Sequence, residues 1–229
     1  MRADNQDAIA AVAGEGSDSL PVFAVADGLG GHAGGSVASR LAVDRLLAEA
    51  AQPKGRTVDR VLKDAMTRAN LDIFNRAHED RSLRNMQSTM SALAFSTDQA
   101  VIAHVGDSRV YRVRGTQVEL LTTDHSQAME MLRLRLLTPA QAANHPARSI
   151  LTRSLGLELL TRADMIRTPI HPGDRFLLCS DGLWAEVTPD EIGSTVGSEE
   201  PEAACQLLLG MALKRGGADN MSAVVANIA

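Results

Sequence analysis

Four aspartates stand where apolar runs end in polar or glycine-rich loops. Asp27 follows Val22-Phe23-Ala24-Val25-Ala26, Asp181 follows Phe176-Leu177-Leu178-Cys179-Ser180, and Asp124 follows Leu120-Leu121-Thr122-Thr123. Asp219 precedes Asn220-Met221-Ser222 and the final apolar run. A carboxylate at a strand end is held by a rigid scaffold yet stays open to solvent. Several of them converging repel one another unless cations neutralise them. Oxygen-only donors of this kind select hard divalent ions, Mg²⁺ or Mn²⁺, and His and Cys pairs at zinc spacing are absent. Two such ions suit in-line displacement at phosphorus: a bound water loses a proton near neutral pH and attacks, while the cations stabilise charge on the phosphoryl oxygens. In Asp27-Gly28 the carboxylate can bridge two ions, and Gly28, lacking a Cβ, lets a backbone carbonyl approach the second.

Blander readings compete. Asp-Gly after a strand is a common turn signal, and Asp107 in Gly106-Asp107-Ser108-Arg109 reads as a hairpin residue rather than a ligand. His78, His104 and His171 read as structural or surface residues, and Cys179 as a small buried hydrophobe. Gly28-Leu29-Gly30-Gly31-His32-Ala33 matches the dinucleotide pattern G-x-G-x-x-A. That reading fails because a second helical pattern, not a strand, follows the first, and because Asp27 would set a negative charge beside a pyrophosphate. No Gly-Lys-Ser/Thr occurs, which excludes a P-loop.

The elements that must position these residues follow from periodicity. Strand-like runs cover residues 8–13, 21–26, 89–96, 100–105, 109–113, 117–121, 175–180 and 222–228. Residues 97–98, 106–108 and 114–116 between them look like hairpin turns. Helical patterns cover 36–51, 57–79, 127–137 and 202–215. Thr138-Pro139 and Thr188-Pro189-Asp190-Glu191 look like helix starts, the latter a capping box. Strands in meanders and helices in adjacent pairs favour antiparallel sheet covered by helices over βαβ units.

The 229 residues carry 45% hydrophobic and 22% charged side chains, which fits a soluble globular chain, here read as one domain over 1–229. A net charge of −5 argues against nucleic acid or acidic membrane as partner. Two cysteines are too few for a disulfide framework, and no secretory or membrane-spanning segment is seen, so a cytoplasmic location is expected. With only 3% aromatics, the core must be aliphatic.

Taken in order, eight segments of the chain resemble the metal-dependent serine/threonine protein phosphatases of the protein phosphatase 2C family, in their compact bacterial form. They are Arg2-Ala3-Asp4-Asn5-Gln6-Asp7, Val25 to His32, Ser88-Thr89-Met90, Ala103 to Arg109, Thr123-Asp124-His125-Ser126, Leu151 to Gly156, Ser180-Asp181-Gly182-Leu183-Trp184 and Asp219-Asn220-Met221-Ser222. Each is weak alone; eight in order, spanning nearly the whole chain, are specific.

The resemblance implies an α+β fold, a four-layer α-β-β-α sandwich of two antiparallel sheets flanked by helices. It implies hydrolysis of phosphoserine and phosphothreonine by direct attack of a metal-bridging water or hydroxide, with two core Mn²⁺ or Mg²⁺ ions. Asp27 would bridge the ions, Gly28 would add its carbonyl, Asp181 and Asp219 would complete one ion, and Asp7 would support the other. Asp124, with Asp181, would hold a third ion. Arg2 would grip the substrate phosphate through its forked donors, and residues 127–149 would form a flap beside the cleft. Leu29 stands where many relatives carry a His as leaving-group acid, which leaves His32, His125 or a water for that role. The family has a strand before the arginine, whereas here the arginine is residue 2, so the start is clipped or that edge strand is missing. Expected partners are phosphoserine and phosphothreonine proteins, among them a serine/threonine kinase or its substrates. The alternatives are a phosphatase dedicated to one small regulatory phosphoprotein, or a catalytically dead binding module with the same fold.

Overall fold

The computed structural model describes residues 4–13 and 19–228, without the side chains of residues 32 and 33. The first half contains β1 (Asp7–Val12), β2 (Val22–Leu29), α1 (His32–Ala50), α2 (Val58–Glu79), β3 (Gln87–Ser88), β4 (Met90–Phe95) and β5 (Gln99–Val105). Then come β6 (Arg109–Arg114), β7 (Gln117–Leu120), α3 (Gln127–Arg133), α4 (Pro139–Ala143), β8 (Asp164–Pro169) and β9 (Arg175–Cys179). The last elements are α5 (Asp181–Trp184), α6 (Pro189–Ser198), α7 (Pro201–Lys214) and β10 (Ala223–Asn227). None of the described helices is long and apolar enough to cross a membrane.

Two antiparallel sheets form. One runs β1-β2-β4-β5-β8 with the short β3 beside β2; the other runs β10-β9-β6-β7. Val25, Leu93 and Ile102 of the first sheet meet Val110, Phe176, Leu178 and Val224 of the second in a dry layer. The outer face of the first sheet is covered by α1 and α2, whose Leu46, Leu62, Met66 and Ile73 are fully or almost fully buried. Ile192, Val196, Leu208 and Ala212 of α6 and α7 cover the second. Each fully buried Leu, Ile or Met contributes about 1.5–3 kcal/mol, so three apolar layers stand in for the missing aromatics. The result is a four-layer sandwich, helices outside and sheets inside.

Several expectations are corrected. Helix α1 starts at His32, not Ser36, with Gly31 as its cap at φ 68°. Low glycine propensity hides this first turn, but Gly34 and Gly35 fit there because neighbours press close: a Cβ on Gly35 would lie 2.7 Å from the Gly28 carbonyl oxygen. Residues 106–108 are not a hairpin turn. Strands β5 and β6 lie in different sheets, and this segment carries the chain across, with Gly106 at φ 109° pressed on Thr89. Helix α3 stops at Arg133 rather than residue 137, followed by Arg135 in the left-handed region at φ 60°. Strand β8 was not expected; it is a half-exposed edge that ends on Pro169, a pattern with little apolar alternation to read. On the opposite edge, β1 pairs only with β2 among the described residues and leaves Ile9 52% exposed.

Candidate metal centre

Asp7 and Asp27 are cross-strand partners in the β1–β2 register, so their side chains share one face at the sheet end. The Asp27 backbone is clamped from both sides: its N–H donates to Thr89 Oγ1 at 2.9 Å, and its carbonyl accepts from the Thr89 N–H at 2.8 Å and Ser88 Oγ at 3.1 Å. Next to it, Gly28 has a packing reason of its own. Its N–H donates to the Gln6 carbonyl at 3.1 Å, and an added Cβ would lie 2.0 Å from the Gly35 carbonyl oxygen.

The second sheet brings its acids to the same end. Asp181 opens α5 where β9 stops, and Asp219 lies just ahead of β10, β9's neighbour. Their loops interlock, for a Cβ on Gly182 would lie 2.1 Å from the Asn220 carbonyl oxygen. Hydrogen bonds then stitch the sheets together. Ser180 Oγ donates to Asp7 Oδ2 at 2.8 Å and accepts from the Ser222 N–H at 2.9 Å. Gln6 N–H donates to Asn220 Oδ1 at 3.0 Å, and Asn220 Nδ2 donates to the Asp4 carbonyl at 3.1 Å. Residues far apart in sequence are thereby fixed around one cleft.

Electrostatics marks that cleft. Burial, then the charges of Asp7, Asp181, Asp107 and Asp219, holds the Asp27 carboxyl well above the usual carboxylate range. Asp7 is also raised, by burial and by Asp181 and Asp219, against lowering hydrogen bonds from Ser222 and Ser180. Its Oδ1 is buried with no hydrogen-bond partner among the described residues. Among those residues, no three His, Cys, Asp or Glu side chains close on one point tightly enough to hold an ion by themselves; the carboxylates interact across the cleft instead. An orphaned carboxylate oxygen and a set of mutually repelling, all-oxygen donors fit hard divalent cations.

The other expected residues divide. Asp124 is buried but forked by Arg109, whose Nε and Nη2 donate to Oδ1 and Oδ2 at 3.0 and 2.8 Å, so its charge is already matched. The Arg109 guanidinium lies 3.6 Å over the Trp184 ring. Asp107, read from sequence as a hairpin residue, is a further acid whose charge interacts with that of Asp181. It is 5% exposed, and burial with the Asp181 and Asp124 charges raises it to about 7. A signal existed: Asp107 follows the apolar run Val101 to Val105, as the other cleft acids follow or precede theirs. His125 is fully engaged. Its Nδ1 accepts from the Gly106 N–H at 3.1 Å, its Nε2 meets Asp164 Oδ2 at 3.1 Å, and burial lowers its pKa. That leaves it no free nitrogen to act as a leaving-group acid. His104 is buried between Ser91 and the Thr123 carbonyl, a structural residue as expected. Arg2 lies outside the described residues, as does the side chain of His32.

Comparison with known proteins agrees with this arrangement. Residues 2–207 match the family model for protein phosphatase 2C. The serine/threonine phosphatase stp of Listeria monocytogenes is 35% identical over 217 residues, 92% of this chain and 86% of that protein. The crystal structure of the Mycobacterium tuberculosis serine/threonine phosphatase PstP/Ppp superposes with a TM-score of 0.89 at 32% identity, covering 100% of this chain and 94% of that one. The catalytic domain of PstP in complex with two manganese ions superposes at 0.86 and 30% identity, covering 99% and 93%. The chain belongs to the protein phosphatase 2C family of metal-dependent protein serine/threonine phosphatases.

Proposed function

We propose that the cleft between the sheet ends is the catalytic centre, with Asp7, Asp27, the Gly28 carbonyl, Asp181 and Asp219 holding the two core ions. What carries this is the convergence of mutually repelling carboxylates from four separate chain segments, with the buried lone oxygen of Asp7 among them. When bound, Mn²⁺ or Mg²⁺ supplies an activated water for in-line attack and neutralises charge on the phosphoryl oxygens. The chain's own work is positional. Thr89 and Ser88 fix the Asp27 backbone, Ser180 orients Asp7, and the Asn220 bridge holds the 4–7 segment against the Asp219 loop. For a third ion, Asp107 with Asp181 is the better pair than Asp124 with Asp181, because Arg109 already satisfies both oxygens of Asp124. Arg2 remains the proposed phosphate grip. The substrates are phosphoserine and phosphothreonine proteins, and we place the enzyme opposite a serine/threonine kinase in the cytoplasm, where the free Cys179 and Cys205 stay reduced.

Turnover of a phosphothreonine peptide should require Mn²⁺. Asp181→Asn should lower kcat/KM by about 10³-fold, the equivalent of several kcal/mol of charge stabilisation. Metal-independent turnover, or full activity in that variant, would refute the assignment.

A further inference from the structure

Beside the carboxylate cleft lies a second cavity of about 430 Å³, between α3 and α4 on one side and Trp184 and Ala185 on the other. Its walls are mixed: Leu120, Met129, Leu132, Ala142 and the Trp184 ring form an apolar part, and Thr122, Thr123 and Ser126 a polar one. The buried Asp124–Arg109 pair lines its inner side, and the exposed Arg148 lines it as well.

Two observations say what would occupy it. The first is continuity with the cleft. Trp184 closes the four-residue helix that Asp181 opens, and its indole N–H donates to the Asp107 carbonyl at 2.9 Å. A group held against Trp184 therefore sits next to the phosphate-hydrolysing centre. The second is charge. Arg133 is paired with Glu130, but Arg148 has no carboxylate partner among the described residues; its guanidinium donates only to the Ala143 carbonyl, at 3.2 Å. Within residues 127–149, Arg133, Arg135 and Arg148 face the single acid Glu130, although the whole chain has a net charge of −5. A local positive excess beside a partly apolar hole favours a ligand that carries an apolar anchor and a negative charge.

We propose that this cavity is a specificity subsite for the substrate protein. It receives a bulky apolar side chain flanking the phosphoresidue, and Arg148 meets an acidic residue beside that anchor. The inference rests on the phosphatase reading of the adjacent cleft and names the sequence class that the cleft serves best. Apolar anchoring in a preformed pocket discriminates by about tenfold or more per lost group, and an exposed charge contact by only a few-fold.

The test uses three phosphothreonine peptides with a common core, flanked on both sides by Leu and Asp, by Ala and Asp, or by Leu and Lys. p-Nitrophenyl phosphate, which carries no flanking residues, reports on the metal centre alone. The unmodified chain with Mn²⁺ should lose about tenfold in kcat/KM from the Leu-Asp to the Ala-Asp peptide, and about threefold to the Leu-Lys peptide, mostly through KM. Leu132→Ala should bring the first ratio near one, and Arg148→Glu should reverse the second. Each ratio is read within a single variant, so partial loss of folded protein cannot imitate the result. Equal kcat/KM for all three peptides in the unmodified chain, or ratios that neither substitution moves, overturns the subsite. An unmodified chain that fails to hydrolyse p-nitrophenyl phosphate with Mn²⁺ overturns the catalytic reading beneath it instead.

Discussion

The two ends of β9 hold carboxylates in opposite circumstances. Just before the strand, the fully buried Asp174 accepts from Arg114 Nε and Nη2 at 2.7 and 2.9 Å and from the His171 N–H at 2.9 Å, and these partners lower its pKa. Just after it, Asp181 meets other acids, and the pKa values of Asp7, Asp27 and Asp107 are raised. Asp174 is fully buried and Asp7, Asp27 and Asp181 are half-buried, yet it is the more buried acid whose pKa falls, because Arg114 faces it, whereas at the other end the acids raise one another. One end is finished by folding, while the other, on the proposed reading, is completed by a cation from outside. Asp124 makes the contrast sharper, for it lies near the metal end yet belongs with Asp174, since Arg109 supplies its counter-charge.

The comparison can be broken by moving a residue from one group to the other. Arg109→Met strands Asp124 as a buried, unpaired carboxylate and should cost about 3 kcal/mol in urea unfolding; an unchanged midpoint would show that the fork contributes nothing. Asp174→Asn removes charge-assisted hydrogen bonds from the other end and should cost about 2 kcal/mol. Asp27→Asn should do the reverse in protein stripped of metal. By relieving repulsion it should raise Tm at pH 7.5 by a few degrees, the equivalent of about 1 kcal/mol, while abolishing the Tm increase that Mn²⁺ gives the unmodified chain. A lower Tm for that variant would contradict the repulsion.

The smallest effect is in pH. Asp107 has a folded pKa of about 7, above its unfolded value of 3.8. Its contribution is therefore fully present below the unfolded value and is lost as pH rises through about 7. The Tm gain from Mn²⁺ should accordingly be larger at pH 7.5 than at pH 5.5, and Asp107→Asn should flatten that difference. His104 runs the other way. Burial lowers it to about 3 from 6.5, so its contribution is present above pH 6.5 and lost as pH falls toward 3. Acid unfolding monitored by circular dichroism should show a steeper limb below pH 6.5 in the unmodified chain than in His104→Gln.

Much of the fold was legible where period and burial coincide. The stripe of α2, from Val61 through Ile73, the N-cap and proline start at Thr138-Pro139 and the capping box at Thr188 lie where local pattern places them. The misses share one physical origin. Gly34 and Gly35 are helical where Met86 and Gln6 press on them, the 106–108 segment crosses between sheets because Thr89 receives Gly106, and β8 is a strand because β5 lends it an edge. None of these partners is near in sequence.

The candidate site divides along the same line. The sequence by itself determined which acids sit at strand ends, and hence that oxygen donors for hard cations are available; that follows from residue type and local period. Only the tertiary structure decided which acids face one another and which meet an arginine. Arg109 takes Asp124 out of the group and the packing of Trp184 and Ser108 brings Asp107 in, because electrostatic matching is a property of neighbours in space and not along the chain.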